Sequence, residues 1–183
     1  MRVLLRVFVW EFAQNLPVLL GFVAATWWWA REERRKAVGA CVGGGVLGAL
    51  VIRYTEAWKI GRPFMEAWSV TLVNVVGFTL FLLLFALYLG YEGRWSNRRM
   101  DAALGALAGA GFALAQGLAA PGAPVIGILL HSVALALAAA VVLILIRRMK
   151  AQTLREALRS AVLVTLVMTA IITVIDYGYL VIG

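Results

Sequence analysis

Charge is scarce in this chain. Only 14% of its 183 residues are Asp, Glu, Lys or Arg, against about a quarter in a soluble domain. That shortage excludes a disordered chain and an ordinary soluble enzyme. A single cysteine, Cys41, excludes an internal disulfide and a multi-cysteine metal centre. A single histidine, His131, excludes an H-E-x-x-H zinc helix. The sequence has no Walker A loop and no G-x-S-x-G elbow, so neither nucleotide hydrolysis nor serine-hydrolase chemistry has its usual residues. No catalytic set, metal or cofactor is assigned.

Apolar residues fill the space that charge leaves. Hydrophobic side chains make up 63% of the chain, in runs too long for a soluble core. Six segments stand out, at about 7–29, 37–54, 66–90, 101–119, 122–146 and 160–181. Each approaches the roughly 20 residues that span a hydrocarbon core of about 30 Å. The expected fold is all-α: a polytopic membrane protein, a bundle of six transmembrane helices with no soluble domain. The first segment follows Arg2 and Arg6, as a signal peptide would. Glu11, Gln14 and Asn15 interrupt it, however, and no A-x-A site follows, so it is expected to be a retained helix.

The charges orient the spans. Arg31, Arg34, Arg35 and Lys36 occupy the 31–36 loop, Arg94, Arg98 and Arg99 the 91–100 loop. Arg147, Arg148, Lys150, Arg155 and Arg159 occupy the 147–159 loop. Those twelve cations face only five on the other side: Arg2, Arg6, Arg53, Lys59 and Arg62. The positive-inside rule places the three basic loops in the cytoplasm and both termini outside, in a bacterial inner membrane. Trp27, Trp28, Trp29 and Trp95 then form the inner aromatic girdle, and Trp10, Trp58 and Trp68 the outer one. The net charge of +8 reflects these loops and does not point to nucleic acid. Around Leu154 and Leu158 the third basic loop has the spacing of a short interfacial helix.

Small residues mark the packing faces. Gly105, Gly109, Ala113 and Gly117 recur every fourth residue, as do Gly39 and Gly43, and Ala40, Gly44 and Gly48. Such ridges let helix backbones approach closely within lipid. The simplest expectation is packing inside the chain. The same ridges would serve a membrane partner subunit or a second copy. Pro17 sits inside the first span, where it frees a carbonyl one turn back and favours a kink.

The polar residues inside the spans are unevenly placed. At about 1.5 Å per residue from each midpoint, Glu11, Asn15, Arg53, Asn74, Gln116, His131 and Asp176 all fall roughly 5–11 Å toward the outside. Thr165, Thr169, Thr173 and Asp176 form one stripe along the last span. Ionisable groups in hydrocarbon cost at least about 2.5–3.5 kcal/mol at a helix centre, so they usually face the bundle interior. The expected ligand-binding set is Glu11, Asn15, Arg53, Asn74, Gln116, His131, Thr173 and Asp176, lining an outward cavity above an apolar inner half. Plainer readings stand beside this one. Arg53 could snorkel to the surface or pair with Asp176, and Asn74 and Gln116 could be interhelical glue. His131 could be structural, and the threonines could bond their own i−4 carbonyls.

Two resemblances bear on function. The run Gly43-Gly44-Gly45-Val46-Leu47-Gly48-Ala49-Leu50-Val51-Ile52-Arg53-Tyr54, followed by Thr71-Leu72-Val73-Asn74-Val75-Val76-Gly77, resembles the G-G-x-x-G-A-x-x-R-Y and T-L-x-x-N-x-x-G runs of bacterial fluoride channels, with one residue more before Arg53 and one fewer before Asn74 than those runs have. It covers about a fifth of the chain. The family's Thr-Thr-Phe-Ser helix has no counterpart, and there are two more spans. The resemblance implies an ion path at Asn74, with Arg53 the other carried-over position. Six spans with an outward polar pocket also look like the capture subunits of energy-coupling-factor importers. The expected function is a small transport component that binds a small polar solute or ion from outside. The alternatives are a structural or assembly subunit of a membrane complex, an ion channel, and an intramembrane enzyme using Glu11, His131 and Asp176.

Overall fold

Uninterrupted hydrophobic runs with few β-breaking turns leave the backbone one way to satisfy its own N–H and C=O groups, the α-helix. A computed structural model describes residues 2–60, 68–90, 97–119, 124–148 and 153–177. Those residues form six helices and no strand: α1 (Arg2–Trp29), α2 (Arg34–Ile60), α3 (Trp68–Gly90), α4 (Arg98–Ala119), α5 (Val125–Arg148) and α6 (Leu154–Tyr177). Each contains a stretch long and apolar enough to cross a membrane. The chain clusters into two compact units. The N-terminal unit holds residues 13–92 and 149–163; the C-terminal unit holds 93–148 and 164–183, with 1–12.

The helix ends carry legible capping chemistry. At the end of α1, Glu33 N donates to Trp28 O (3.0 Å) and Glu32 N to Trp29 O (3.0 Å). This is a Schellman motif with Glu32, at φ 61°, in the left-handed position that glycine usually fills. Arg31 folds back so that its guanidinium sits 3.7 Å above the Trp27 ring, while its Nη1 donates to Trp27 O (3.1 Å). The turn leads directly into α2, whose Ala37 N donates to Glu33 O (3.1 Å). At α4, Asn97 Oδ1 accepts from Met100 N (2.8 Å). At α6, Glu156 N donates to Thr153 Oγ1 (3.2 Å) and Thr153 N to Glu156 Oε2 (3.4 Å), a reciprocal capping box. That box starts α6 at Leu154, so the expected interfacial helix around Leu154 and Leu158 is the beginning of the sixth helix itself. The last span therefore starts about a turn and a half before its expected limit. Pro17 lies inside a continuous α1.

Close helix contacts build the N-terminal unit. α2 offers its glycines to both neighbours. A Cβ on Gly21 of α1 would stand 2.7 Å from Ala40 O and from Gly44 Cα, and one on Gly45 2.9 Å from Thr79 N of α3. Gly48 receives Val18. Phe22, Leu82 and Ala49 are fully buried here, with Phe85 packed 6.1 Å from Phe22 and 4.3 Å from Phe81.

In the C-terminal unit, α4 lies along α5. A Cβ on Gly105 would stand 2.6 Å from Ala140 Cα, one on Gly109 would collide with Leu135 O, and one on Gly117 would meet Ile128 (2.7 Å). Ala113, Ala134 and Ala138 continue this seam, and Ile172 of α6 closes it. The Gly105-Gly109-Ala113-Gly117 ridge is thus covered from within the chain. Gly44 and Gly48 are likewise occupied, whereas Gly39 and Gly43 have nothing within 4 Å of a Cβ. A partner reading therefore stands on Gly39 and Gly43 alone.

Candidate functional site

The glycine contacts of the N-terminal unit set its register. Gly45 lies beside Thr79 and Gly44 beside Leu82, so α2 and α3 run antiparallel. Counting equally along both helices brings Arg53 level with Thr71, and Asn74 within about one turn, or 5 Å. Burial agrees: Arg53 is 4% exposed, Asn74 2% and Thr71 3%. α1 reaches the same level through Gln14, whose Nε2 donates to Thr55 Oγ1, while Thr55 Oγ1 donates to Ile52 O (2.8 Å). Gln14 and Thr55 are both buried. The result is a buried polar layer supplied by three helices, beyond a core of Phe22, Leu82 and Phe85.

Gln14 and Thr55 were not expected in this layer. The interior face of α1 runs through Gln14, Val18, Phe22 and Ala25, all buried. Glu11 and Asn15, expected to share that face, are half-buried beside it. The usable signal was the apolar ladder Val18-Phe22-Ala25, which extends back to position 14 at helical spacing.

The C-terminal unit carries the rest of the expected set. Gln116 on α4, His131 on α5 and Glu11 on the start of α1 are half-buried, and Thr173 on α6 is 5% exposed. Asp176 belongs to the helical backbone of α6, and its side chain lies outside the described residues. The eight expected residues thus divide three and five between the units: Asn15, Arg53 and Asn74 in one, the others in the other. Glu11, Asn15, Arg53, Asn74, Gln116 and His131 are each engaged with neighbouring groups.

Two hydroxyls of α6 behave unlike the others. Thr26, Thr55, Ser132 and Ser160 each donate to a carbonyl three or four residues back, at 2.7–3.0 Å. Thr169 and Thr173 do not: both Oγ1 atoms are buried with no hydrogen-bond partner among the described residues. The expectation that these threonines bond their own i−4 carbonyls therefore fails at both positions.

A second polar feature lies at the opposite end of α4. Asp101 is 1% exposed. Arg147 Nε donates to both its oxygens, at 2.9 Å to Oδ1 and 2.7 Å to Oδ2. This ion pair clasps the start of α4 to the end of α5, one turn from Gly105. In sequence, Arg147 reads as one more loop cation and Asp101 as the first residue of a span. Only the α4–α5 register shows that they meet. No group of three or more His, Cys, Asp or Glu among the described residues is placed to hold a metal ion.

Comparisons of the chain with protein-family models, with curated proteins and with solved structures gave no match.

Proposed function

We propose that this protein is a multi-pass component of a bacterial inner membrane that binds a small polar solute or ion for transport. The supporting observation is the buried layer of Gln14, Arg53, Thr55, Thr71 and Asn74. Interhelical hydrogen bonds in membranes average about 0.6 kcal/mol, while each ionisable group placed there costs several times that. Helix adhesion alone is therefore a poor reason to gather a guanidinium, two amides and two threonines at one level. The Gly44, Gly45 and Gly48 contacts already hold these helices together without polar help. Arg53 and Asn74 provide a cation and an amide that recognise an anion or a polar head, and Gln14 and Thr55 hold α1 against α2 beside them. In the C-terminal unit, His131, Gln116, Glu11 and Thr173 are the further polar residues of the proposed binding set, and Asp176 lies on the same helix as Thr173. Both termini face outward in this reading, with Arg34, Arg98 and Arg155 at the cytoplasmic surface.

The test is thermal unfolding of the detergent-purified protein against a panel of inorganic anions, alkali cations and small neutral solutes. At least one class should raise the midpoint, and Asn74→Ala should abolish that rise while leaving the protein monodisperse. A panel without effect, or an undiminished rise in Asn74→Ala, refutes the binding role.

One observation favours a second reading, a subunit of a larger membrane complex. Gly39 and Gly43 form a small-residue face with open space above it, flanked by exposed Val38 and Val42. Co-purification that is lost on Gly43→Leu, with solute binding absent, would select it.

A further inference from the structure

We propose that the Thr165-Thr169-Thr173 face of α6 is the wall of a hydrated path for water and small neutral hydrogen-bonding solutes, closed in the present conformation. The proposal rests on the transport reading above and extends it across the middle of the helix. Three observations carry it.

The first is the pair of orphan hydroxyls. Thr169 is 0% and Thr173 5% exposed, yet neither Oγ1 has a hydrogen-bond partner among the described residues. A buried hydroxyl left unpaired is unfavourable and is rare in native structures. A helical threonine has an easy remedy, a bond to its own preceding turn. Thr26 and Thr55 adopt that remedy. Thr169 and Thr173 do not adopt it, which leaves both hydroxyls available to a water or a solute.

The second is the division of α6 into two buried faces. Met168, Ile171, Ile172 and Ile175 pack on the alanine seam of α4 and α5. Thr165, Thr169 and Thr173 lie about a quarter-turn around the helix, four residues apart. All three are buried, so this face is turned away from lipid. A purely structural buried face would carry aliphatic residues, as its neighbour does.

The third is depth. Thr165 and Thr173 are separated by about 12 Å along the axis. The stripe therefore joins the outer half of the span, where the polar residues gather, to the half expected to be apolar. Threonine hydroxyls both donate and accept and carry no charge. Such a wall suits water and uncharged hydroxyl- or amide-bearing solutes better than a bare ion. Hydroxyls at i and i+4 stand on Cβ atoms about 5–6 Å apart, a span that one water can bridge.

Site-directed thiol labelling tests this without knowledge of the natural solute. Single cysteines are placed at 165, 168, 169, 172 and 173 in full-length protein carrying Cys41→Ala, reconstituted in liposomes. The probe is 2-hydroxyethyl methanethiosulfonate, a small, neutral, hydroxyl-bearing reagent, and the readout is the mass of the intact protein. Cysteines at 169 and 173 should label at least about tenfold faster than those at 168 and 172. Equal rates on both faces, or no labelling at 169 and 173, overturn the proposal. If Thr169→Cys does not fold, Thr173→Cys carries the same comparison. The Thr169→Val/Thr173→Val double variant keeps the side-chain volume and should fold. In it, labelling of a cysteine at 165 should fall at least tenfold, and unchanged labelling there also overturns the path. A solute that raises the unfolding midpoint while the stripe stays unlabelled would leave the binding role standing and remove only the path. Labelling of the stripe without solute stabilisation would do the reverse.

Discussion

Replacing Arg147 by methionine isolates one buried charge. Asp101 is 1% exposed and Arg147 Nε contacts both its oxygens, at 2.9 and 2.7 Å. At an effective dielectric of about 20 the gross attraction over that distance is about 6 kcal/mol. Most of it offsets the desolvation of the two ions, so the intact pair adds little net stability. Removing one partner is a different matter. Methionine keeps the length and apolar stem of Arg147 but leaves the carboxylate buried without its cation. Such half-pairs cost about 3–5 kcal/mol. For a chain of this size each kcal/mol moves the unfolding midpoint by about 2–4 °C, so the expected drop is about 6–20 °C. The Asp101→Leu/Arg147→Met double variant removes both charges and should recover most of that loss. Circular dichroism melts of the four proteins in one detergent complete the cycle. A single Arg147→Met variant melting within 2 °C of the parent would refute the buried pair. So would a double variant as unstable as the sum of its single changes.

Four further outcomes follow from the packing, the turns and the polar layer. Gly109→Ala should destabilise by about 1–3 kcal/mol, because its Cβ collides with Leu135 O. Gly111→Ala on the same helix meets open space and should be neutral or stabilising by up to about 1 kcal/mol, as melting midpoints will show. Glu32→Gly should stabilise by about 0.5–1 kcal/mol, because Glu32 holds φ 61° at the end of α1; a lowered midpoint would contradict the Schellman geometry. Gln14→Leu should cost about 1 kcal/mol, since Thr55 Oγ1 keeps its own bond to Ile52 O and only the link between α1 and α2 is lost. A midpoint lowered by more than 10 °C would mean that Gln14 supports more than that link.

The six elements are readable because each apolar run approaches the length of a membrane-spanning helix, and each of the six expected segments overlaps one of the six helices. Their ends were less readable. The third basic loop looked separate from the last span because Arg155 and Arg159 broke the hydropathy, yet Thr153 and Glu156 form the cap that makes it one helix. Burial of Arg53, Asn74 and Thr173 was foreseeable from the expense of polar groups in lipid. Gln14 is hard to pick out in sequence because Asn15 is its neighbour, and a one-residue difference in helical phase moves a side chain by about 100°. Asp101 carries no such signal, because local sequence cannot show that Arg147, far along the chain, ends beside it.

Composition and periodicity alone decide that this chain is helical, that each helix is long and apolar enough to span a bilayer, and that its cations concentrate around alternate helix connections. Those properties are local, set by residue type and spacing of a few positions. Which glycine meets which carbonyl, which carboxylate finds a cation and which hydroxyl is left alone depend on register between helices distant in sequence. Packing of backbones at near-contact distance sets that register. A shift of one residue there would separate Gly109 from Leu135 and Asp101 from Arg147 together.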